Sequence, residues 1–210
     1  GSVNVTGSTA GIITIEGASS EYTADDSRIV VDNTAHTIGF GLPIWSGTGV
    51  SSLKFGNNSN TAAGQYGAAF GYNTQAGKYA LSEGYMTSAY GDASHAEGNN
   101  TYAVLEYSHA EGNSTSAQGQ ESHSEGEYTL AAQQSSHAEG SYTTAYGLAS
   151  HAEGSYTYAM HDGSHTEGQS TSASGQSSHA EGSGTTTSGI ASHSEGVSSI
   201  TYGNVSHAEG

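Results

Sequence analysis

Cysteine is absent from this 210-residue chain, proline occurs once, and only three residues are basic. Without cysteine no disulfide holds the chain, which fits an extracellular protein stable without them and equally a cytosolic one. The basic residues are Arg28, Lys54 and Lys78, and the formal net charge is −17 with histidines neutral. A phosphate backbone would be repelled, which excludes nucleic-acid binding, and anionic membrane surfaces are disfavoured for the same reason. No apolar run reaches bilayer length, so membrane insertion is not expected. Large aliphatic side chains are scattered after residue 55, too few for one core of Leu, Ile, Val and Phe. Low apolar content with high charge often means disorder, but a strict periodicity argues against that here.

The periodicity is the pentapeptide Ser-His-Ala-Glu-Gly or a near copy, returning every 14 residues. Its nine histidines are His95, His109, His123, His137, His151, His165, His179, His193 and His207. A fixed short period marks a solenoid in which each repeat is one coil stacked on the last. Three degenerate copies precede these, at Ser52–Gly56, Gly67–Gly71 and Ala80–Gly84, spaced by 15, 13 and then 14 residues. Twelve coils are therefore expected over 52–210, a rod roughly 55 Å long at the spacing of adjacent strands. Residues 1–51 are not repetitive. Their β-branched runs at Ile12–Ile15, Arg28–Val31 and Thr37–Phe40, with Pro43 and Trp45 beyond, predict a small irregular β cap or connector. Gly1-Ser2 reads as an expression remnant and the chain stops on a repeat boundary, so a piece of a longer fibre is expected.

Within a coil, alternate side chains point to opposite faces of a strand. Ser94 and Ala96 share one face, and His95 and Glu97 the other. In the second strand Thr101 and Ala103 share a face opposite Tyr102 and Val104. The small Ser, Ala and Thr columns suit a thin interior, and glycine suits the corners. Leu105, Gln133 and His161 replace the second-strand glycine in alternate coils, where the corner is expected to turn differently.

The early coils carry Leu53, Ala68 and Leu81 in the histidine column, and Phe55, Phe70 and Glu83 in the glutamate column. Apolar residues there predict that this face is buried. The interior is already filled and one thin roll buries little apolar area, so the face is expected to meet other copies of the chain. Three chains about an axis close the surface. The axial set is then His95/Glu97, His109/Glu111, His123/Glu125, His137/Glu139, His151/Glu153, His165/Glu167, His179/Glu181, His193/Glu195 and His207/Glu209, with Leu53, Phe55, Phe70 and Leu81. Buried charges need partners, so a His–Glu ladder is expected to fix register and trimer state. Such pairing would raise the imidazole pKa values and lower those of the carboxylates, with stability greatest in mild acid.

The repeat resembles the head domain of YadA-like trimeric adhesins, whose unit is S-[VI]-A-[IV]-G followed by T-x-A-x-G. Ser94–Gly98, Ser108–Gly112, Ser150–Gly154 and Ser178–Gly182 match it, with His and Glu in place of the aliphatics, and the resemblance covers 52–210. It implies an all-β fold, a left-handed parallel β-roll assembled as a homotrimer. The SHAEG variant is similar to repeats in phage tail or neck appendages, which implies a virion attachment fibre; the alternative is a bacterial surface adhesin. Either implies an extracellular, non-enzymatic protein that meets a host-cell surface glycan or protein receptor, with no cofactor.

Other chemistries are weaker. Ser94 and His95 point apart, so no nucleophile–base pair forms within a coil. Three His95 side chains about an axis could hold Zn²⁺ or Ni²⁺ with Glu97 behind them, or an anion when protonated. A calcium roll lacks its nonapeptide. The threonine column, which suggests ice binding, shares its face with alanine and should be buried. Tyr102, Tyr128, Tyr142, Tyr146, Tyr156, Tyr158 and Tyr202 form a possible ligand face.

Overall fold

A computed structural model describes residues 52–56 and 59–210, and before them the backbone of four short strands. Asn4–Gly7 pairs antiparallel with Ile13–Glu16, and Ile29–Asp32 with Thr37–Phe40. Three of these strands fall on or within two residues of the β-branched runs. Pro43, Trp45 and the expected capping role lie outside the described residues.

From Leu53 onward the chain is a parallel β-solenoid with two sheets. Twelve strands make the first sheet and eleven two-residue strands the second, each bonded to its equivalent in the next coil. His95 is in register with His109, Ala96 with Ala110 and Glu97 with Glu111, and this 14-residue register runs to His207. The expected twelve repeats are all present in the first sheet.

The interior is what alternation dictates. Ala96, Ala103, Ala110 and Ala117 are fully buried, as are Thr101 and Thr115. The serine that opens each motif turns inward and closes the preceding corner: Ser94 Oγ donates to the Gly91 carbonyl at 2.7 Å, Ser122 to Gly119 at 2.6 Å and Ser150 to Gly147 at 2.7 Å. Serine is thus small enough for the interior and leaves no buried hydroxyl unpaired at these corners.

The threonine column differs. Thr143 Oγ1 and Thr157 Oγ1 are buried with no hydrogen-bond partner among the described residues. Thr129 Oγ1, by contrast, lies 2.7 Å from Ser124 Oγ, where serine replaces the usual alanine. An unpaired buried hydroxyl costs free energy that an isosteric methyl does not. Thr143→Val is therefore expected to stabilise the chain by about 1 kcal/mol, and Thr129→Val to destabilise it by a similar amount. Urea denaturation of the two variants checks the opposite signs.

Each coil is tied to both neighbours. Extended residues donate forward, as His137 N does to Ser150 O at 2.9 Å. Two corner residues per coil are left-handed and donate backward: Tyr142 N (φ 57°) to Glu127 O at 2.8 Å, and Ala149 N (φ 51°) to Gln134 O at 2.9 Å. The left-handed conformation reverses the direction of the N–H.

The second-strand corners alternate in residue type from Gly91 to Gly175 but keep one turn: Ser136 N donates to Gln133 O at 3.1 Å, and Ser150 N to Gly147 O at 3.2 Å. Gly119 N and Gly147 N lean on the next coil's Ala131 and Ala159 carbonyls, at 3.4 Å each. Gln133 N and His161 N bond within their own coil, to Ser136 Oγ and Ser164 Oγ at 3.2 Å, and Gly175 N does the same to Ser178 Oγ at 3.1 Å. A Cβ on Gly119 would lie 1.9 Å from the Gln133 carbonyl oxygen, and one on Gly175 equally close to that of Gly189, so the close approach is to the backbone of the next corner whatever its side chain.

The irregular early coils are accommodated at corners. The 15-residue coil takes its extra residue between Gly56 and Thr61, and the 13-residue coil loses one between Ala76 and Leu81. Asn60 fills the enlarged corner in the threonine column, 1% exposed. Its Nδ2 donates to the Phe55 and Gly71 carbonyls at 2.6 and 2.7 Å, and its Oδ1 accepts from Thr74 N at 3.0 Å. Asn60→Ala strips all three bonds and is expected to cost about 3 kcal/mol, read as a lower urea midpoint.

Candidate functional site

The first sheet turns its histidine and glutamate columns outward, away from the Ala/Ser/Thr interior. The nine imidazoles from His95 to His207 form one uninterrupted column, with ring centroids 4.6–4.9 Å apart. All neighbouring pairs are stacked or tilted except His109–His123, which meet edge to face at 73°. The spacing follows from parallel pairing in exact register, which fixes equivalent side chains one strand spacing apart.

The glutamates run alongside. His Nε2 and Glu Oε2 of the same strand approach to 3.1–3.9 Å at His95, His109, His123, His137, His151, His179 and His193. Only His123–Glu125 at 3.4 Å and His193–Glu195 at 3.1 Å are within hydrogen-bonding distance. Nε2 of His95, His109, His137, His151, His165 and His179 is shielded yet has no hydrogen-bond partner among the described residues.

The glutamate column, expected to be covered by other copies of the chain, stands open in the single protomer. Glu153, Glu167, Glu181 and Glu209 are exposed. Glu139 is half-buried as a residue, but its side chain keeps 46% of its surface. The carboxylates of Glu139 and Glu153 stand 3.6 Å from their histidines, and that of Glu181 stands 3.8 Å away, so none of the three closes a firm rung of the ladder. The cause is the strand itself. Side chains two residues apart leave the same face side by side, and the carboxylate ends beyond the stacked rings, in water. Burial of these five glutamates needs a surface supplied by another chain.

The raised imidazoles were expected of a face covered by other chains; in the single protomer the direction is different. His109, His151 and His179 are shifted below the ordinary imidazole value, not above it. Desolvation is the largest cause, followed by the imidazoles of the coils above and below. Glu111, Glu153 and Glu181 pull the other way and lose, because their oxygens stand 3.6–3.9 Å from these three rings. At these three positions desolvation and the two flanking rings together outweigh the single carboxylate.

The apolar members of these columns also face outward. Leu53 and Phe55 are each 41% exposed, and Phe70 and Leu81 are half-buried. Among the described residues nothing covers this face. Among the described residues no group of three or more His, Cys, Asp or Glu side chains is placed to hold a metal ion. Ser94 lies inside and His95 outside, so the two do not meet within the coil. No helix of the described residues is long and apolar enough to cross a membrane. The threonine column lies in the interior, which removes the ice-binding surface.

The tyrosines do not form one continuous face. Tyr128, Tyr142 and Tyr156 stack at the first corner, with centroids 4.8 and 4.9 Å apart. Tyr146 and Tyr158 are exposed beside them on the second sheet. Tyr102 and Tyr202 belong to distant coils. Tyr102 is only half-exposed and donates its hydroxyl to Asn100 Oδ1 at 2.9 Å. The Tyr142 hydroxyl is shifted upward, by desolvation first and then by Tyr128, Tyr156 and Glu127.

The stacked tyrosines are all left-handed, φ 53–57°. A bulky residue there costs about 1–2 kcal/mol, and a ring pair returns about 0.5–1.5 kcal/mol. Two stacks do not offset three such residues. The same column holds Asn100, Ser114, Ser170 and Ser198 in other coils, residues that tolerate the conformation better or are smaller. Leu148, in the same coil as Tyr142 and Tyr146, is a further exposed apolar side chain, at 47%. It is absent from the sequence-based set because it lies past the second strand, where period-two alternation has ended.

Compared with protein-family models and with curated proteins, the chain finds no match.

Proposed function

We propose that the chain is a non-enzymatic segment of a homotrimeric attachment fibre, of the kind found in phage tail or neck appendages, working outside the cell against a host-surface glycan or protein. The observation that carries this reading is the outward face of the first sheet. Leu53, Phe55, Phe70 and Leu81 stand in the same registered columns as the histidines and glutamates, on the side opposite a filled interior. A chain in water gains by covering such a face, and three parallel copies in register would place like columns about one axis. A rod of equal coils also suits reach and display better than a single reaction centre.

The second reading is the head of a bacterial surface adhesin. The exposed tyrosines of the second sheet favour it over a plain spacer, since aromatic side chains are typical of contact surfaces.

Light scattering on the whole chain tests the assembly. A mass of three times the 21.2 kDa chain, unchanged by chelator, is the expected result. A monomer would overturn the covered-face argument. A trimer that dissociates in chelator would replace the His–Glu ladder by metal-bridged histidines.

A further inference from the structure

The outer columns of the second sheet are not uniform along the rod. Over three successive coils they carry Tyr128, Tyr142 and Tyr156 at the corner, Leu130 and Tyr158 on the strand, and Tyr146 and Met160 just past it. Tyr128, Tyr142, Tyr146, Tyr156, Tyr158 and Met160 are each 40–52% exposed. The coil before has Ser114, Ser116 and Gln118 in these columns, and the coil after has Ser170, Ser172 and Ser174. In these columns the patch is therefore bounded by polar residues on both sides along the rod.

We propose that this patch is a docking surface for a partner protein that presents an apolar centre ringed by arginine or lysine. Tyrosine and methionine are enriched where proteins meet, and a contiguous exposed apolar patch marks such a contact. Charge selects the rim. Residues 79–210 hold fifteen Asp and Glu and no Lys or Arg. Glu127 acts on the Tyr142 hydroxyl, and Asp162, whose Oδ1 accepts from Leu148 N at 3.0 Å, lies at the other margin. A cationic rim would be drawn to this field, and arginine would also stack on tyrosine faces. A second copy would bring the same negative charge to the contact, so self-association through the patch is disfavoured.

The inference rests on the attachment reading for its purpose, but its test is separate. The patch lies on the second sheet and the His/Glu face on the first, so the mass measurement and the binding measurement fail independently.

The experiment uses the whole chain at physiological salt. A dye-labelled peptide of alternating arginine and tryptophan is titrated by fluorescence anisotropy, beside a glutamate–tryptophan peptide and the neutral glycan cellohexaose. The triple variant Tyr142→Ser, Tyr146→Ser, Tyr156→Ser keeps the charge, and its serines match Ser170 and Ser174 in the same columns. It is expected to bind the arginine peptide at least tenfold more weakly, with no binding of the glutamate peptide to either form. Tyr158→Thr alone, copying Thr144 of the preceding coil, gives a milder readout of about threefold. Four results would overturn the proposal: no binding of the arginine peptide, equal binding by wild type and variants, equal binding of the glutamate peptide, or cellohexaose binding that the variants abolish.

Discussion

Gly140→Ala is expected to sever the rod in the middle. The motif glycine of each coil sits at φ near +110°, and at Gly140 the value is +112°. A Cβ there would lie 2.0 Å from the carbonyl oxygen of Gly154 in the next coil, and 3.0 Å from its carbon. Both are backbone atoms held in the ladder, so no side chain can swing away. The strand His137–Ser141 must separate from His151–Ser155 for the methyl to fit. The expected cost exceeds about 4 kcal/mol, at the extreme of single substitutions. Because a solenoid is stabilised coil against coil, loss of one interface divides it into two blocks that unfold separately. Hydrogen exchange should show protection lost around 137–155 and kept toward both ends. Gly163→Ala is the control. Its φ of +63° belongs to a column that accepts Ala149 and Ala191, and its Cβ would come no nearer than 3.5 Å to Ser177 Oγ. It should cost only about 1 kcal/mol. Equal effects of the two substitutions would refute the steric argument.

Acid is expected to weaken the rod, with a lower melting temperature at pH 5 than at pH 7.5. His109, His151 and His179 titrate below their unfolded value of about 6.5. A base whose folded pKa is depressed binds fewer protons folded than unfolded in the window between the two values. Its contribution is fully present above the unfolded pKa and is lost as pH falls through the folded one. Neighbouring charges add to this. Two imidazolium rings at this stacking distance repel by on the order of 1 kcal/mol in water and about 3.5 kcal/mol at an effective dielectric of 20. Protonation of His109, His151 or His179 is therefore opposed whenever a flanking ring already carries a proton. His137→Asn with His165→Asn removes both neighbours of His151, and should raise the His151 midpoint in a proton NMR titration. A midpoint that stays put would leave desolvation as the sole cause. A melting temperature higher at pH 5 would restore the carboxylates as the dominant partners.

These cases mark what could be read from the residues alone. Strand alternation placed Ser94, Ala96, Thr101 and Ala103 inside and His95 and Glu97 outside, because each column keeps one chemical character over many coils. The register needed only the period. The direction of the histidine shift was not legible. It turns on how far burial in the stack desolvates each ring, weighed against one carboxylate 3.6–3.9 Å away, and spacing in sequence carries neither quantity. The open carboxylates of Glu153, Glu167 and Glu181 escaped for a related reason: a shared face says nothing of how far a long side chain extends beyond it. Asn60 was hidden because it is one polar residue beside an insertion, and only the folded corner shows three backbone groups converging on it. The aromatic patch was half visible. Its tyrosines stood out singly, but Tyr102 and Tyr202 share their residue type without sharing the location.

The alternating corners have a further meaning for how such a chain can change length. Gly119 and Gly147 lie against the backbone of the corner above, and Gly175 lies against Gly189 in the same way. Glycine on glycine is thus already accommodated, whereas among the described residues no corner furnished with a side chain stands beneath another. Excising the coil of Gln133 would only bring glycine corners together, while excising that of Gly119 or Gly147 would set two furnished corners against each other. Single steps of roughly 4.8 Å, one strand spacing, are therefore open at furnished coils, and a glycine coil flanked by furnished ones should be lost only together with a neighbour.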